Sequence, residues 1–143
     1  MCLGLKYIHE RKILHRDIKP ANIFKTKTGI IKFGDFGVSK LLASTLQKAS
    51  TEIGTPLYLS PEIVKGQKYD ATTDIWSLGV TLYELCALKR PFDTTEGLKD
   101  LNNKILKGDY EPIPDWYSQD MRDLIKAMLI VDNKKRPTIK QIL

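Results

Sequence analysis

Cysteine is scarce in this chain of 143 residues: Cys2 and Cys86 stand alone, with no spacing that suits metal ligation. Cys86 lies in an apolar helical run, where it reads as a small core side chain, and a reducing compartment fits. Long apolar runs are absent. No stretch reaches the length that a bilayer-spanning helix needs, and the N-terminus has no charged-then-apolar pattern with a cleavage site. These absences speak against a membrane partner and point to the cytosol or nucleus. The positive charge, +6 overall with a pI of about 9.3, forms no basic stripe. Lys25, Lys27, Lys32, Lys65, Lys68, Lys99 and Lys104 are scattered without interleaved aromatics that could stack bases, which argues against a nucleic-acid partner. There is no internal repeat, low-complexity tract or interdomain linker. What remains, 42% hydrophobic and 28% charged residues, is ordinary for one soluble globular domain or a large piece of one.

The chain opens on an amphipathic pattern, Leu5, Ile8 and residues 10–12, with no recognisable N-cap before Leu3, so it is expected to begin inside a helix and to be truncated. Two strand-like runs follow, Asn22-Ile23-Phe24-Lys25 and Ile30-Ile31-Lys32-Phe33. Thr26-Lys27-Thr28-Gly29 between them is a hairpin signal. Residues 35–62 are polar, rich in Ser and Thr and aperiodic, which is long for a loop in a compact domain and points to a functional segment. Asp74 then leads into residues 75–88, which are apolar on nearly every face and predict a central helix buried on nearly every face. A shorter helix is expected over residues 96–107. Another follows Ser118 as its cap, with Met121, Leu124, Ile125, Met128 and Leu129 as its apolar face, and a last one starts near Pro137-Thr138. The expected fold is therefore mainly α, a helical bundle around a buried central helix with one small β-hairpin.

The richest stretch for chemistry is His15-Arg16-Asp17-Ile18-Lys19-Pro20-Ala21-Asn22. Asp17 is a carboxylate in a loop just after a helix, able to orient an attacking hydroxyl and accept its proton. Lys19 can neutralise charge that develops on a transferred phosphate. Asn22 offers a neutral carbonyl oxygen to a hard cation. A two-stranded hairpin returns the chain to its starting edge, so Asn22 before the first strand is expected near Asp35 after the second, and Asp35-Phe36-Gly37 would bring a carboxylate to the same Mg2+. Phe36 is expected to pack inward beside His15, with Gly37 as a backbone swivel. In Ser50-Thr51-Glu52-Ile53-Gly54-Thr55-Pro56, a phosphate on Thr51, or second on Ser50, could pair with Arg16 and order the segment.

Taken together, residues 13–24 and 34–38, Gly-Thr-Pro-Leu-Tyr-Leu-Ser-Pro-Glu over residues 54–62 and Asp-Ile-Trp-Ser-Leu-Gly-Val-Thr-Leu-Tyr-Glu-Leu over residues 74–85 resemble the NIMA-related (Nek) serine/threonine protein kinases. The resemblance covers the whole chain, read as one kinase domain over residues 1–143. It implies transfer of the γ-phosphoryl group of ATP, with Mg2+, to Ser or Thr hydroxyls of protein substrates. It implies that Thr55 bridges Asp17 and Lys19, that Phe24 lies under the adenine ring, and that Glu62 and Arg136 meet as a buried ion pair. Asp74 would both cap the central helix and accept backbone N–H groups of the His15-Arg16 turn. Val38, β-branched after Asp-Phe-Gly, accompanies preference for threonine in kinases. Centrosome or cilium would be a location by family analogy.

The sequence departs from the kinase pattern in one large respect. Nothing in it matches a Gly-rich phosphate loop, the strand lysine for the α/β-phosphates or the helix glutamate that pairs with that lysine. It is therefore expected to be the C-terminal lobe, without the N-lobe. A rival reading is a non-catalytic module that docks a partner through the helices after Arg90. The presence of Asp17, Asn22 and Asp35 together weighs against it.

Overall fold

The structure, a computed structural model, describes residues 1–34 and 57–143. Helix α1, Cys2–Glu10, leads through an irregular segment and a single 3-10 turn, Pro20–Asn22, to strands β1, Ile23–Lys25, and β2, Ile31–Phe33. Helices α2, Pro61–Val64, α3, Ala71–Ala87, α4, Leu98–Lys107, and α5, Gln119–Met128, follow. A 3-10 turn, Asn133–Lys135, and α6, Ile139–Ile142, end the chain. Among the described residues the architecture is mainly helical with one two-stranded antiparallel sheet, paired Ile23 to Phe33, Phe24 to Lys32 and Lys25 to Ile31.

The central helix holds the rest together because it is apolar on two sides. One side, with Trp76, Val80, Tyr83 and Cys86, packs with Leu57, Phe92, Leu101, Ile105, Ile113, Ile125 and Leu129. The other, with Ile75 and Leu78, packs with Leu5 and Ile8 of α1, Ile18, Met128 and Ile139. Aromatic rings reinforce the first group: Trp76 stacks on Phe92 with 5.4 Å between centroids, and Tyr110 meets Tyr83 and Phe92 edge-on. Helices α3 and α5 approach closely at Gly79, where a Cβ would lie 2.8 Å from Cβ of Met128 and 3.1 Å from a Leu129 methyl.

Several boundaries differ from the sequence expectation, each for a local reason. The central helix starts at Ala71 and its cap is Asp70, not Asp74. The Asp70 side chain accepts the N–H groups of Thr72 and Thr73, and Thr73 returns a hydroxyl to the Asp70 backbone, a capping box that places Asp74 one turn inside. The helix is also not buried all round: Leu85 is half exposed near its end. Pro61 and Glu62, at the end of the run expected as loop, instead begin α2, because Pro61 sits at the first helical position, where its missing N–H costs nothing. Ser118 caps α5, accepting from the Met121 N–H. The short helix α4 begins at Leu98, two residues later than expected.

The contact at Gly79 generates a test. Alanine has the better helix propensity by about 1 kcal/mol, but its methyl would press on a backbone-proximal Cβ that cannot swing aside, at about 1–3 kcal/mol. Gly79→Ala should therefore lower the thermal unfolding midpoint, measured by circular dichroism, rather than raise it.

Candidate active site

The loop between α1 and the first 3-10 turn alternates between anchoring and reaching. His15 and Ile18 are buried, Ile18 among Leu5, Ile8 and Ile75, and Asp17 and Lys19 between and after them are left partly open. The Asp17 carboxylate oxygen Oδ2 lies 2.9 Å from Lys19 Nζ and accepts from Asn22 Nδ2 at 2.7 Å. Asn22 Nδ2 also donates to the Asp17 carbonyl at 2.8 Å. With both amide protons committed to Asp17, Asn22 has its carbonyl Oδ1 left to offer, an oxygen of the kind that a hard divalent cation takes. The structure thus brings Asp17, Lys19 and Asn22 into one cluster.

The hairpin forms where its sequence suggests, with each strand one residue shorter than expected: Asn22 belongs to the 3-10 turn and Ile30 precedes β2. The Gly34 N–H donates to the Asn22 carbonyl at 2.9 Å, extending the ladder one step past Ile23 and Phe33 and bringing the strand's exit beside Asn22. A Cβ on Gly34 would fall 2.4 Å from the Phe24 ring, so a side chain there would displace Phe24. Phe24 itself is exposed. Phe33 is the ring beside His15, edge-on with centroids 5.1 Å apart. Asp35, Phe36, Gly37, Val38, Ser50, Thr51 and Thr55 lie outside the described residues. Among the described residues no three His, Cys, Asp or Glu side chains gather for a metal.

Behind the cluster, Asp74 accepts four hydrogen bonds while wholly buried. His15 N–H and His9 Nε2 reach Oδ2 at 2.9 and 2.7 Å; Arg16 N–H and the Tyr69 hydroxyl reach Oδ1 at 2.9 and 2.6 Å. Arg16 stands at φ 68°, the left-handed region, which costs a non-glycine residue about 1–2 kcal/mol. Burial pushes the Asp74 carboxyl up, but the bonds from His9, Tyr69, Arg16 and His15 outweigh it and hold the group below its ordinary value. Burial likewise dominates at His15 and lowers its imidazole, against the opposing charges of Asp74 and Asp17.

Glu62 and Arg136 meet as a bidentate pair, Nη1 to Oε1 at 2.7 Å and Nη2 to Oε2 at 2.6 Å, both side chains buried. Arg136 uses its remaining donors on the carbonyls of Thr72, Ile130 and Val131, and its guanidinium lies 5.0 Å from the Trp76 ring. Burial raises the Glu62 carboxyl, and the bonds and charge of Arg136 more than reverse it. This pair is apart from the Asp17 cluster but shares with it the first turn of α3.

Sequence reasoning missed His9, Tyr69 and the Tyr58–Glu84 bond. The Tyr58 hydroxyl donates to Glu84 Oε2 at 2.7 Å, and burial first, then Glu84, push its phenol up to about 12. A lone histidine next to the buried position Ile8 of α1, and a single tyrosine in the otherwise polar run over residues 65–70, were the available signals.

Both buried carboxyls sit below their ordinary values of 3.8 for Asp74 and 4.5 for Glu62. Their stabilising contribution is fully present above those values and is lost as pH falls through the depressed folded values. The unfolding free energy should therefore decline on acidification below pH 4.5. Arg136→Met, which strands Glu62, should cost about 3–5 kcal/mol at neutral pH, with the gap to wild type narrowing as the pH falls through 4.5 and below, where Glu62 takes up a proton. Denaturant unfolding at several pH values measures both effects.

The protein kinase domain family matches this sequence over residues 1–143. The chain is 48% identical over 143 residues to the serine/threonine-protein kinase Nek1 of Mus musculus, covering all of this chain and 12% of that protein. It is 51% identical over 147 residues to the probable serine/threonine-protein kinase nek3 of Dictyostelium discoideum, covering all of this chain and 13% of that protein. With the serine/threonine-protein kinase Nek5 of Homo sapiens it shares 49% over 142 residues, 99% of this chain and 20% of that protein. The chain thus spans a fifth or less of the length of these curated relatives.

Proposed function

The chain belongs to the protein kinase domain family, and on that footing we propose that it carries the catalytic half of a serine/threonine protein kinase that moves the γ-phosphoryl group of ATP to hydroxyls of protein substrates. The observation that supports this reading is the Asp17 carboxylate held between Lys19 and Asn22 on a loop whose backbone is tied to a buried acid. Such a carboxylate can face an incoming hydroxyl while its neighbours carry charge and metal.

In the proposed reaction Asp17 orients the substrate hydroxyl and takes its proton. The hydroxyl oxygen forms a bond to the γ-phosphorus as the bond from that phosphorus to the β-bridging oxygen breaks, and ADP leaves with the electron pair. Lys19 offsets charge on the phosphoryl oxygens in transit. Asn22 Oδ1, with Asp35 one peptide bond past Gly34, would hold Mg2+, which when bound neutralises phosphate charge. Asn22 and the carboxylates supply the oxygen donors that such a cation prefers, so the residues fit the group. Threonine is the proposed preferred acceptor, from Val38 after Asp-Phe-Gly, and Thr51 the proposed regulatory phosphosite, its phosphate the proposed partner of Arg16. The Glu62–Arg136 pair is proposed to tie the segment before α2 to the last helices.

Residues 1–143 hold no Gly-rich loop and no lysine–glutamate pair for the phosphates, so we place them as the C-terminal lobe of that domain. By itself the 143-residue chain should transfer phosphate at least ~100-fold more slowly than the same residues joined to an ATP-binding lobe, since each lost phosphate contact weakens the transition state. Comparable rates would refute the lobe assignment.

The central test is Asp17→Asn in the full-length protein, assayed with radiolabelled ATP-Mg on matched Thr and Ser peptides. Loss of the proton acceptor should cut kcat by roughly 10²–10⁴-fold with KM for ATP little changed. Chelation of Mg2+ should abolish transfer. Undiminished transfer by Asp17→Asn sinks the proposal.

A further inference from the structure

Tyr69 stands where nothing in the core calls for it. Residues 65–68 before it are exposed, and it belongs to neither apolar cluster. Yet its hydroxyl turns inward to Asp74 Oδ1 at 2.6 Å, a short bond of the kind formed between a hydroxyl and a carboxylate. The same oxygen accepts the Arg16 N–H at 2.9 Å, and the Arg16 guanidinium lies 5.9 Å from the centre of the Tyr69 ring. Tyr69 therefore meets Arg16 at both ends, its side chain through the ring face and its backbone through a shared oxygen. Arg16 needs such holding, because its left-handed backbone is strained and the next residue is Asp17.

A carboxylate on a helix turns about two side-chain torsions, so accepting from the loop does not by itself fix its direction. On Oδ2 His9 supplies the second donor; on Oδ1 Tyr69 does. Burial first, then the charge of Asp74, push the Tyr69 phenol well above its ordinary value, so it keeps its proton and stays a donor.

We infer that Tyr69 is a positioning residue for phosphoryl transfer: its hydroxyl fixes the Asp74 oxygen that holds the Arg16 backbone, and so aims Asp17. The inference rests on the kinase reading above and adds to it a residue outside the catalytic motif. It separates two jobs of the side chain, packing by the ring and aiming by the hydroxyl, and the variant Tyr69→Phe removes only the second.

The experiment is carried out in the full-length protein with three variants, Tyr69→Phe, Ser118→Ala as a remote destabilised control and Asp17→Asn. Tyr69→Phe should speed amide hydrogen exchange over residues 15–17 by about tenfold, with exchange in α5 unchanged. It should lower kcat about tenfold while KM for ATP and for peptide stay within about twofold. Ser118→Ala should speed exchange in α5 and leave kcat as in wild type. The inference is overturned if residues 15–17 exchange as in wild type, if they and α5 speed up by the same factor, or if kcat stays within about twofold of wild type. An inactive Asp17→Asn beside an unimpaired Tyr69→Phe removes this inference alone. An active Asp17→Asn removes the kinase reading and this inference with it.

Discussion

A carboxylate with no exposure to water is the constraint on which the rest of this molecule turns. Taking Asp74 out of solvent is expensive, and it is tolerated because four donors converge on two oxygens. Two of those donors are backbone N–H groups from a loop nearly sixty residues earlier in the chain. The loop cannot leave without stranding a buried charge, and the charge cannot be satisfied without the loop. That mutual dependence explains how Arg16 is kept at φ 68°, and it sets where Asp17 begins. A partly open carboxylate is thus held in place by a buried one.

The first turn of α3 carries more than this one task. Asp70 takes the capping role and leaves the carboxylate of Asp74, one turn on, free to reach sideways to the loop. The Thr72 carbonyl accepts from Arg136, whose fork closes on Glu62. The loop that carries Asp17, the short helix α2 and the end of the chain therefore converge on the same few residues. Below that turn the helix has apolar residues on two sides, so both clusters form against one rigid rod. Charge fixes the top of the helix and packing fixes its length, with Gly79 admitting α5 close enough to close the second cluster.

Much of this is legible in the residues. The hairpin could be read from two strand-like runs around Thr26-Lys27-Thr28-Gly29, and α5 from Ser118 with an apolar face at helical spacing. The Asp17, Lys19 and Asn22 cluster follows from their sequence proximity, because a turn of a few residues leaves them no room to part. The helix start at Ala71 was harder: Asp74 was expected as the cap, and the reciprocal bonds between Asp70 and Thr73 give that role to Asp70 instead. His9 and Tyr69 were out of reach for another reason. Their roles are defined by a shared partner distant in sequence from His9, and no local pattern encodes which buried acid a histidine or tyrosine will find. Short-range order is written in spacing; convergence on a buried charge is not.

The hairpin shows how little structure is needed to join the parts of such a site. Three paired residues on each strand and one further bond from Gly34 return the chain to Asn22, the residue from which it departed. Antiparallel geometry makes the return obligatory, since each rung aligns a residue before the turn with one after it. Phe33 then lies against His15 and against Gly4 of α1, so the hairpin is braced on the same loop and helix that Asp74 secures from the other side. A slip of one residue would turn Phe33 away from His15 and carry the strand exit away from Asn22. The register of a six-residue sheet is therefore set by the ring it packs against His15, and the position of the exit beside Asn22 is a consequence of that packing.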